Sequence, residues 1–244
     1  MQWSVVIPAF NEAVRLPRYL EEVVQAFDGR GDRYEVIVVD DASTDATSDV
    51  VQAAAGAHPA VRLLRLAANL GKGGTVRAGM LAARGHYRLF TDADGATPIA
   101  ELKRLEAAMA GGADVAIGSR VLVDPSVAVT TRPHRVAAGR VFNWIRGRLG
   151  LRGIADSQCG FKLFRGPVAE DLFGRLRTQG FAFDVEILLL AQRAGYLIAE
   201  VPVNWTDQPG SKVHVLTDGP RMVAQILMAR LRVGATRGRV GAGR

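Results

Sequence analysis

The chain has 244 residues and a formal net charge of +7, with 48% hydrophobic and 23% charged residues. This length suits one large α/β domain or two small ones, and the composition excludes wholesale disorder. Cys159 is the single cysteine, which excludes an internal disulfide framework and indicates a reducing compartment. No stretch reaches the roughly 18 apolar residues of a membrane-spanning helix. Since no basic leader precedes the first apolar run, we expect an intracellular protein, soluble or bound to a membrane surface.

The first 120 residues alternate between short β-branched apolar runs and helical patterns. The runs predict strands at Ser4–Pro8, Glu35–Asp40, Val61–Leu66, Tyr87–Thr91 and Asp114–Gly118. The patterns between them predict helices at Leu16–Phe27, Thr44–Ala55, Lys72–Ala83 and Pro98–Ala110. We expect Ser43 or Thr44 to cap the second helix. This alternation is typical of an α/β fold with a mostly parallel sheet flanked by helices.

Each of these predicted strands ends in a polar cluster. The clusters are PAFNE, DDAS, ANLGKGG, TDADGAT and GSR. The carboxyl ends of parallel strands lie at one edge of a sheet, where such folds bind their ligands. We therefore predict that the five clusters gather along this edge and form the active site.

Beyond Arg120 the periodicity is weaker. A basic amphipathic segment covers Thr131–Leu149, and the stretch ADSQCGFKLFR after it is predicted to be irregular. A helix is predicted at Phe183–Ala194 and a strand at Ile198–Val203. A last helix, Asp218–Val233, places its apolar side chains near one face: Met222, Val223, Ile226, Leu227 and Leu231. No linker is distinct enough to divide the chain.

Positive charge is concentrated in two blocks that contain no acidic residue. The block from Pro125 to Ala155 carries Arg132, Arg135, Arg140, Arg146, Arg148 and Arg152. The block after Pro220 carries Arg221, Arg230, Arg232, Arg237, Arg239 and Arg244. Such clusters attract the phosphates of nucleic acids, nucleotides or anionic membranes.

The most informative motif is Asp92-Ala93-Asp94, directly after the predicted strand Tyr87–Thr91. Two carboxylates at positions i and i+2 of an extended chain point the same way. Both are ionised at neutral pH, and crowding them together is costly unless a cation lies nearby. Mg²⁺ or Mn²⁺ binds carboxylate and diphosphate oxygens together, so the motif predicts a site for one of these metals.

Two further clusters leave alternatives open. Asp40 and Asp41 end the run EVIVV, where they either cap the following helix or accept hydrogen bonds from a base or ribose. The loop NLGKGG around Lys72 lacks the Walker pattern, although small residues let a backbone approach a ligand and a helix N-terminus favours anions. No GxGxxG follows the first strand, which disfavours a dinucleotide cofactor.

Nine motifs occur in a fixed order from Val5 to the last predicted helix: VVIPAFNE, EVIVVDDAS, NLGKGG, DADGAT, GSR, DSQCGFKLFR, FAFDVEILLLA, EVPVNW and GSKV. In this order they resemble the family-2 glycosyltransferases with the GT-A fold. They are most similar to the dolichyl-phosphate (polyprenyl-phosphate) β-glucosyltransferases. DADGAT and DSQCGFKLF favour this glucosyl branch over the related mannosyl-phosphate synthases.

The resemblance implies an inverting transfer of glucose from UDP-glucose to a polyprenyl phosphate. It assigns a nucleotide-sugar pocket to Pro8, Ala9, Asn11, Glu12, Asp40, Asp41, Lys72, Asp92 and Ala93. It assigns the metal, Mg²⁺ or Mn²⁺, to Asp92 and Asp94, and catalytic roles to Asp94, Arg120 and Asp156. It assigns acceptor and phosphate contacts to Arg120, Arg132, Gln158 and Lys212. The role of Asp156 stays open between a base and a group that orients the substrate.

The resemblance also implies a domain organisation. We expect one catalytic domain over residues 1–215, with a nucleotide-sugar-binding half at 1–120 and an acceptor-binding half at 121–215. Residues 216–244 are expected to form an amphipathic helix and a basic tail. Phe10 replaces a tyrosine of many relatives, and the spanning helix that begins the eukaryotic enzymes is absent from this sequence. We therefore expect peripheral attachment to the cytoplasmic face of a membrane through basic segments.

Alternatives and several single residues complete the predictions. Three alternative functions stay open: a GDP-mannose-dependent transferase, a family-2 transferase with a non-lipid acceptor, and a nucleic-acid-binding protein. The last is disfavoured because no stacking aromatic residues accompany the arginines. A nucleotidyltransferase also uses paired acids but fits the ordered motifs poorly.

Cys159 is predicted to be a small buried hydrophobe. Of Asp184 and Glu186, at most one is expected to point into the cleft, in competition with structural pairing to an arginine.

Overall fold

The protein is described from a computed structural model that covers residues 1–130, 151, 153–209 and 215–235, the last segment with its side chains at positions 222–234. The predicted segment Thr131–Leu149, the candidate residues Arg132 and Lys212, and the basic tail from position 236 lie outside the described residues.

The strands of the described residues are β1 (Trp3–Ala9), β2 (Tyr34–Asp40), β3 (Val61–Arg65), β4 (Tyr87–Thr91), β5 (Val115–Ser119), β6 (Val129–Thr130), β7 (Phe161–Arg165), β8 (Ile198–Pro202) and β9 (Trp205–Thr206). The helices are α1 (Leu16–Asp28), α2 (Thr47–Ala57), α3 (Gly71–Ala82), α4 (Leu102–Ala110), α5 (Gly166–Arg175), α6 (Phe183–Ala194) and α7 (Val215–Ala235). A 3₁₀ turn, Ile99–Glu101, precedes α4.

Seven strands form one sheet in the order β3-β2-β1-β4-β7-β5-β8. Its pairs are parallel except at β7, which runs antiparallel to both β4 and β5. Strands β6 and β9 form a separate two-stranded parallel ribbon. The predicted α/β fold with a mostly parallel sheet is therefore confirmed, and the strands of both predicted halves share one sheet.

Helices cover both faces of the sheet, which is why its central strands are apolar on both sides. Val6 of β1 packs in a core with residues of α3, α5 and α6, whereas its neighbours Val5 and Ile7 pack on the opposite face with residues of α1 and α4. This burial fixes the strand positions and so aligns the loops at the carboxyl edge.

The predicted cap of α2 is wrong. The helix begins at Thr47, and neither Ser43 nor Thr44 caps it. The side chain of Ser43 instead accepts a hydrogen bond from the N–H of Asn11 (2.9 Å), and the N–H of Thr44 donates to Oδ1 of Asn11 (2.8 Å). Oδ1 of Asp45 accepts the N–H of Thr47 at 2.9 Å. The polar residues after β2 therefore bind the neighbouring loop.

The prediction of irregular structure over ADSQCGFKLFR is wrong for its second half. Phe161–Arg165 is strand β7, in the middle of the sheet, and α5 follows it directly. Both faces of β7 are covered, so its residues are buried without the alternation that marks a half-exposed strand. Lys162, a charged residue within this buried run, obscures the strand pattern further.

The face predicted for the last helix is only partly correct. In α7, Met222, Ile226, Ala229 and Val233 are buried at the spacing i, i+4, i+7, i+11. Leu227 and Leu231, which were expected beside them, are exposed on the opposite side. Among the described helices, none combines the length and the hydropathy that a membrane crossing requires.

Candidate active site

Four of the five polar clusters are joined by direct contacts at the carboxyl edge of the sheet. Asn11, after β1, is hydrogen-bonded to the loop after β2, as described above. Asp41, after β2, accepts the N–H groups of Leu70 (2.7 Å) and Gly71 (3.0 Å) in the third cluster. Nζ of Lys72 lies 2.8 Å from Oδ1 of Asp92, after β4. These contacts join four of the five predicted clusters, and the fifth, GSR, contacts Asp156 through Arg120.

Asp92 and Asp94 lie at this edge close enough for the charge of one to act on the other. Their side chains are 33% and 25% exposed, so both are partly open to solvent. Burial raises the pKa of the Asp94 carboxyl, and the nearby charge of Asp92 raises it further. Nη1 of Arg15 lies 3.8 Å from Oδ2 of Asp94, and Lys72 pairs with Asp92. Each of the two acids therefore has a positively charged side chain beside it.

The donor set of these two acids fits a hard divalent cation. Crowded carboxylates that retain solvent access are suitable ligands for Mg²⁺ or Mn²⁺. Within the described ranges, no group of three or more His, Cys, Asp or Glu side chains is arranged to hold a metal ion. Two carboxylates leave the remaining coordination positions to water and to phosphate oxygens, as is usual for Mg²⁺ with a phosphate substrate.

Gly160, in the motif DSQCG, lies against the Asp92 carboxylate. A Cβ atom at position 160 would be 1.9 Å from Oδ2 of Asp92, so a side chain there would force the Asp92 carboxylate to move. The N–H of Asp92 also donates to the carbonyl oxygen of Gly160 at 3.0 Å. Gly160, directly before β7, therefore contacts both the carboxylate and the backbone of Asp92 and limits the positions that this side chain can take.

Arg120 and Asp156 form a bidentate ion pair after β5. Nε and Nη2 of Arg120 donate to the two carboxylate oxygens of Asp156 at 2.7 and 2.8 Å, and the N–H of Arg120 donates to Oδ2 at 3.0 Å. Glu200 of β8 accepts the N–H groups of Ala155 and Asp156, which fixes the backbone at this point. The guanidinium of Arg120 also lies 5.5 Å from the ring centroid of Trp205.

The electrostatics of this pair define its protonation. Burial alone would raise the pKa of Asp156, but the charge and hydrogen bonds of Arg120 outweigh it and lower the pKa to about 2. Burial opposes the charged form of Arg120, yet Asp156 raises its pKa above the usual value. Asp156 is thus ionised at neutral pH and is a weak proton acceptor. Gln158, predicted to bind the acceptor, donates its backbone N–H to Oδ1 of Asp156 at 3.1 Å and its side-chain N–H to the carbonyl oxygen of Phe181 at 3.3 Å.

The candidate nucleotide residues Asp40 and Asp41 both hold loops in place. Asp40 is fully buried, accepts the N–H of Ser43 at 3.0 Å and is hydrogen-bonded to the hydroxyl of Ser48. Asp41 spans to the third cluster, as described. Of the other candidates, Ala9 and Ala93 are buried, and Glu12 binds Arg15 through its carboxylate. Contact of these residues with a nucleotide stays a prediction.

The glycines at the N-terminus of α3 serve a protein contact. The N–H groups of Gly73 and Gly74 donate to the carbonyl oxygen of Gln179 at 2.6 and 3.2 Å. A Cβ atom at Gly73 would lie 2.4 Å from the carbonyl oxygen of Thr178. The backbone of this loop therefore lies against the segment before α6, and not against a ligand. The N–H groups of Gly73 and Gly74 already have a hydrogen-bond acceptor in the protein.

Sequence reasoning missed Arg15 as part of the site. Its guanidinium pairs with Glu12, lies near Asp94 and donates to the carbonyl oxygen of Pro209 at 3.0 Å. It therefore joins the loop after β1 to the loop after β9. The available signal was the spacing of three residues between Glu12 and Arg15, which brings the two side chains together at a helix start.

Sequence reasoning also missed Lys162. This residue of β7 is buried, and its ammonium pairs with Asp184 of α6. Burial raises the pKa of Asp184, and the charges of Lys162 and Lys72 oppose that increase. Glu186, on the same helix, accepts the N–H of Thr178 at 2.8 Å and lies 3.6 Å from Arg232 of α7. The predicted structural pairing with an arginine thus holds for Glu186, and Asp184 pairs with a lysine.

Cys159 is buried, as predicted for a small hydrophobe. Burial raises the pKa of its thiol to about 12, so the thiolate that a nucleophile needs is not populated at neutral pH.

Solved structures share this fold across nearly the whole chain. Glucosyl-3-phosphoglycerate synthase from Mycobacterium tuberculosis is similar with a TM-score of 0.68 and 20% identity, over 95% of this chain and 80% of that chain. A crystal structure of that synthase in complex with Mn²⁺ and UDP-glucose has a TM-score of 0.67 and 20% identity, over 97% of this chain and 80% of that chain. The fold is thus that of the GT-A glycosyltransferases.

The sequence comparisons identify the family. The model of "Glycosyl transferase family 2" matches residues 4–173, and this chain belongs to that family. A dolichyl-phosphate beta-glucosyltransferase from Dictyostelium discoideum is 38% identical over 94% of this chain and 74% of its own length. Enzymes of the same name from Drosophila melanogaster (39%) and Homo sapiens (37%) match 97% and 95% of this chain, and 77% and 75% of their own lengths.

Proposed function

We propose that this protein transfers glucose from UDP-glucose to the phosphate of a dolichyl-type polyprenyl lipid and forms a β-linked product. The names of the relatives, at 37 to 39% identity over most of the chain, support the acceptor and the sugar. The observation that carries the proposal is the pair Asp92 and Asp94, partly exposed at the sheet edge between Lys72 and Arg15.

The chemistry requires charge stabilisation at the departing nucleotide. Breaking the sugar–diphosphate bond leaves negative charge on UDP, and Mg²⁺ or Mn²⁺ held by Asp92 and Asp94 supplies compensating positive charge when bound. Lys72 and Arg15 contribute fixed positive charge at the same edge. Attack from the opposite face of the sugar inverts an α-linked donor to a β product without an enzyme nucleophile.

The acceptor does not need a strong base. A phosphate monoester loses its second proton at a pKa of about 6, so it is largely dianionic at neutral pH. Asp156, whose pKa is about 2, therefore orients Arg120 and stabilises positive charge on the sugar rather than removing a proton. We propose that Arg120 and Gln158 contact phosphate oxygens of the acceptor, and that Arg132 and Lys212 extend this acceptor site.

The donor pocket is proposed to follow the carboxyl ends of β1, β2, β3 and β4 and the loops after them. Pro8, Ala9, Asn11 and Glu12 line it on one side, Asp40 and Asp41 on the second, and Lys72 with Ala93 on the third. The contacts that join these loops keep the pocket preformed before the nucleotide binds, which lowers the entropic cost of binding.

We further propose that α7 binds the cytoplasmic surface of a membrane. Its outer side carries Leu227, Met228 and Leu231, which are 47%, 52% and 72% exposed. Arg230 lies at one border of this apolar strip, and Arg232, which also pairs with Glu186, lies at the other. An apolar strip with arginines beside it is the pattern of a helix that lies in the interface of an anionic bilayer.

A transfer screen tests the proposed reaction. It crosses UDP-glucose, UDP-galactose, UDP-GlcNAc and GDP-mannose with short and long polyprenyl phosphates, each with Mg²⁺, Mn²⁺ or a chelator. The proposal predicts metal-dependent release of UDP from UDP-glucose and a β-glucosyl lipid. Consumption of GDP-mannose alone would contradict the proposed donor, and hydrolysis of UDP-glucose without any glucosyl lipid would contradict the proposed acceptor.

A further inference from the structure

The ion pair between Lys162 of β7 and Asp184 of α6 lies behind the candidate metal site. The two side chains are 1% and 4% exposed. Nζ of Lys162 also donates to the carbonyl oxygen of Cys159 at 2.6 Å. Neither side chain is open to solvent, so the pair is not a substrate contact.

Stability alone does not account for this pair. Removing two charges from water costs about as much as their attraction returns, and an apolar pair of similar volume is often equally or more stable. A buried ion pair in the core of a sheet therefore calls for another role.

One connection from this pair to the metal site is electrostatic. Nζ of Lys72 and Nζ of Lys162 each lie 5.7 Å from the ring centroid of Phe90. Burial alone would lower the pKa of Lys72, but the charges of Asp92 and Asp184 raise it. The two ammonium groups thus share one aromatic ring, and one pairs with Asp92 at the candidate metal site while the other pairs with Asp184 in the core.

A second connection runs through the backbone. Lys162 binds the carbonyl oxygen of Cys159, and the next residue, Gly160, accepts the N–H of Asp92 and lies against the Asp92 carboxylate. Displacement of residues 159–162 would therefore displace the carboxylate that is predicted to bind the metal.

We propose that Lys162 and Asp184 are positioning residues for Asp92. Lys162, fixed by Asp184, holds the segment that supports Asp92. This inference rests on the proposed function, since it assigns the metal to Asp92 and Asp94.

The test compares Asp184→Asn with Glu186→Gln, a matched variant on the same helix. Both acids are buried and paired with a cation, but Glu186 contacts α7 and the loop before α6. The readouts are the affinity for Mn²⁺ in the presence of UDP, measured by electron paramagnetic resonance, the kcat and KM for the donor, and the Tm. We expect Asp184→Asn to weaken Mn²⁺ binding at least tenfold and to lower kcat. Glu186→Gln is expected to lower the Tm comparably and to leave Mn²⁺ affinity within twofold.

The double variant Lys162→Met with Asp184→Leu separates positioning from folding. An apolar pair is expected to restore the Tm toward that of the wild type while Mn²⁺ affinity stays at least tenfold weaker. Wild-type Mn²⁺ affinity in Asp184→Asn or in the folded double variant would overturn the inference. If the wild type binds Mn²⁺ with UDP but transfers no glucose, the proposed function fails and the affinity comparison still decides the positioning role.

Discussion

Gly160 lies so close to the Asp92 carboxylate that the absence of a side chain there is a requirement of the site. The substitution Gly160→Ala would place a Cβ atom 1.9 Å from Oδ2 of Asp92 and force that carboxylate to move. We expect transfer to fall by on the order of 100-fold, as for loss of one preorganised electrostatic contact. The measurement is kcat/KM for the donor at saturating metal.

Gly174 provides the matched control for this substitution. It lies in α5, and a Cβ atom there would have no neighbour within 4 Å. Gly174→Ala should keep wild-type kcat/KM and raise the free energy of unfolding by up to about 1 kcal/mol. Equal activity of the Gly160 and Gly174 variants would contradict the supporting role of Gly160.

Asp156 is expected to act through its charge and its hold on Arg120. Asp156→Asn removes the charge that orients the guanidinium, so turnover should fall sharply while the affinity for UDP stays nearly intact. Steady-state kinetics and a UDP titration measure the two effects. Asp49→Asn, at an exposed carboxylate of α2, is the control. Wild-type turnover in Asp156→Asn would remove Asp156 from the mechanism.

The lowered pKa of Asp156 predicts how the free energy of unfolding depends on pH. Its folded-state pKa of about 2 lies below the ordinary value of 3.8, so ionisation of Asp156 favours folding. This contribution, on the order of 2 kcal/mol, is complete above pH ~4 and is lost as the pH falls toward ~2. The difference in the free energy of unfolding between the wild type and Asp156→Asn should therefore shrink over that interval. A difference that stays constant would contradict the ionised pair.

At the scale of elements, α7 has two apolar sides with different tasks. Its buried side packs in the protein core, and its outer strip is proposed to bind a bilayer. Leu231→Ser removes the most exposed residue of this strip and should lower partition to anionic vesicles several-fold. Leu197→Ser, at a residue that is 64% exposed just before β8, is the matched control and should not change partition. Equal effects in a vesicle sedimentation assay would contradict the assignment of α7.

The sequence was most informative where an element is regular and locally encoded. Strands β1, β2 and β4 lie within one or two residues of their predicted positions, because a strand buried on both faces reads as a continuous apolar run. Strand β7 was missed because its position depends on pairing with β4 and β5, which are distant in sequence. The antiparallel direction of β7 likewise follows from the fold as a whole and not from local pattern.

The same distinction applies to the site. Asp92, Asp94, Arg120 and Asp156 could be predicted as site residues because they follow strands or lie in ordered motifs, and their roles stay predictions. The Lys162–Asp184 pair joins residues 22 positions apart on a strand and a helix, so its partners became apparent only in the structure. The Gln179 carbonyl that occupies the α3 N-terminus is a tertiary contact of the same kind.

At the scale of the whole molecule, one sheet carries both sides of the proposed reaction. Strands β1 and β2 place the candidate nucleotide residues, β4 places the acids, and β5 places Arg120 beside Asp156. Strand β7 lies between β4 and β5 and carries the buried lysine behind the site. Backbone hydrogen bonds therefore hold the proposed donor and acceptor residues on these strands at a fixed separation, which favours the preorganised electrostatics that the proposed chemistry needs.

The most direct measurement is a Mn²⁺ titration in the presence of UDP, followed by electron paramagnetic resonance, on the wild type and on Asp94→Asn. If the two acids at the sheet edge hold the cation that offsets the nucleotide charge, the wild type binds Mn²⁺ in a UDP-dependent manner and the variant binds it at least tenfold more weakly. Equal affinity in the two proteins, or binding that UDP does not strengthen, would contradict this arrangement.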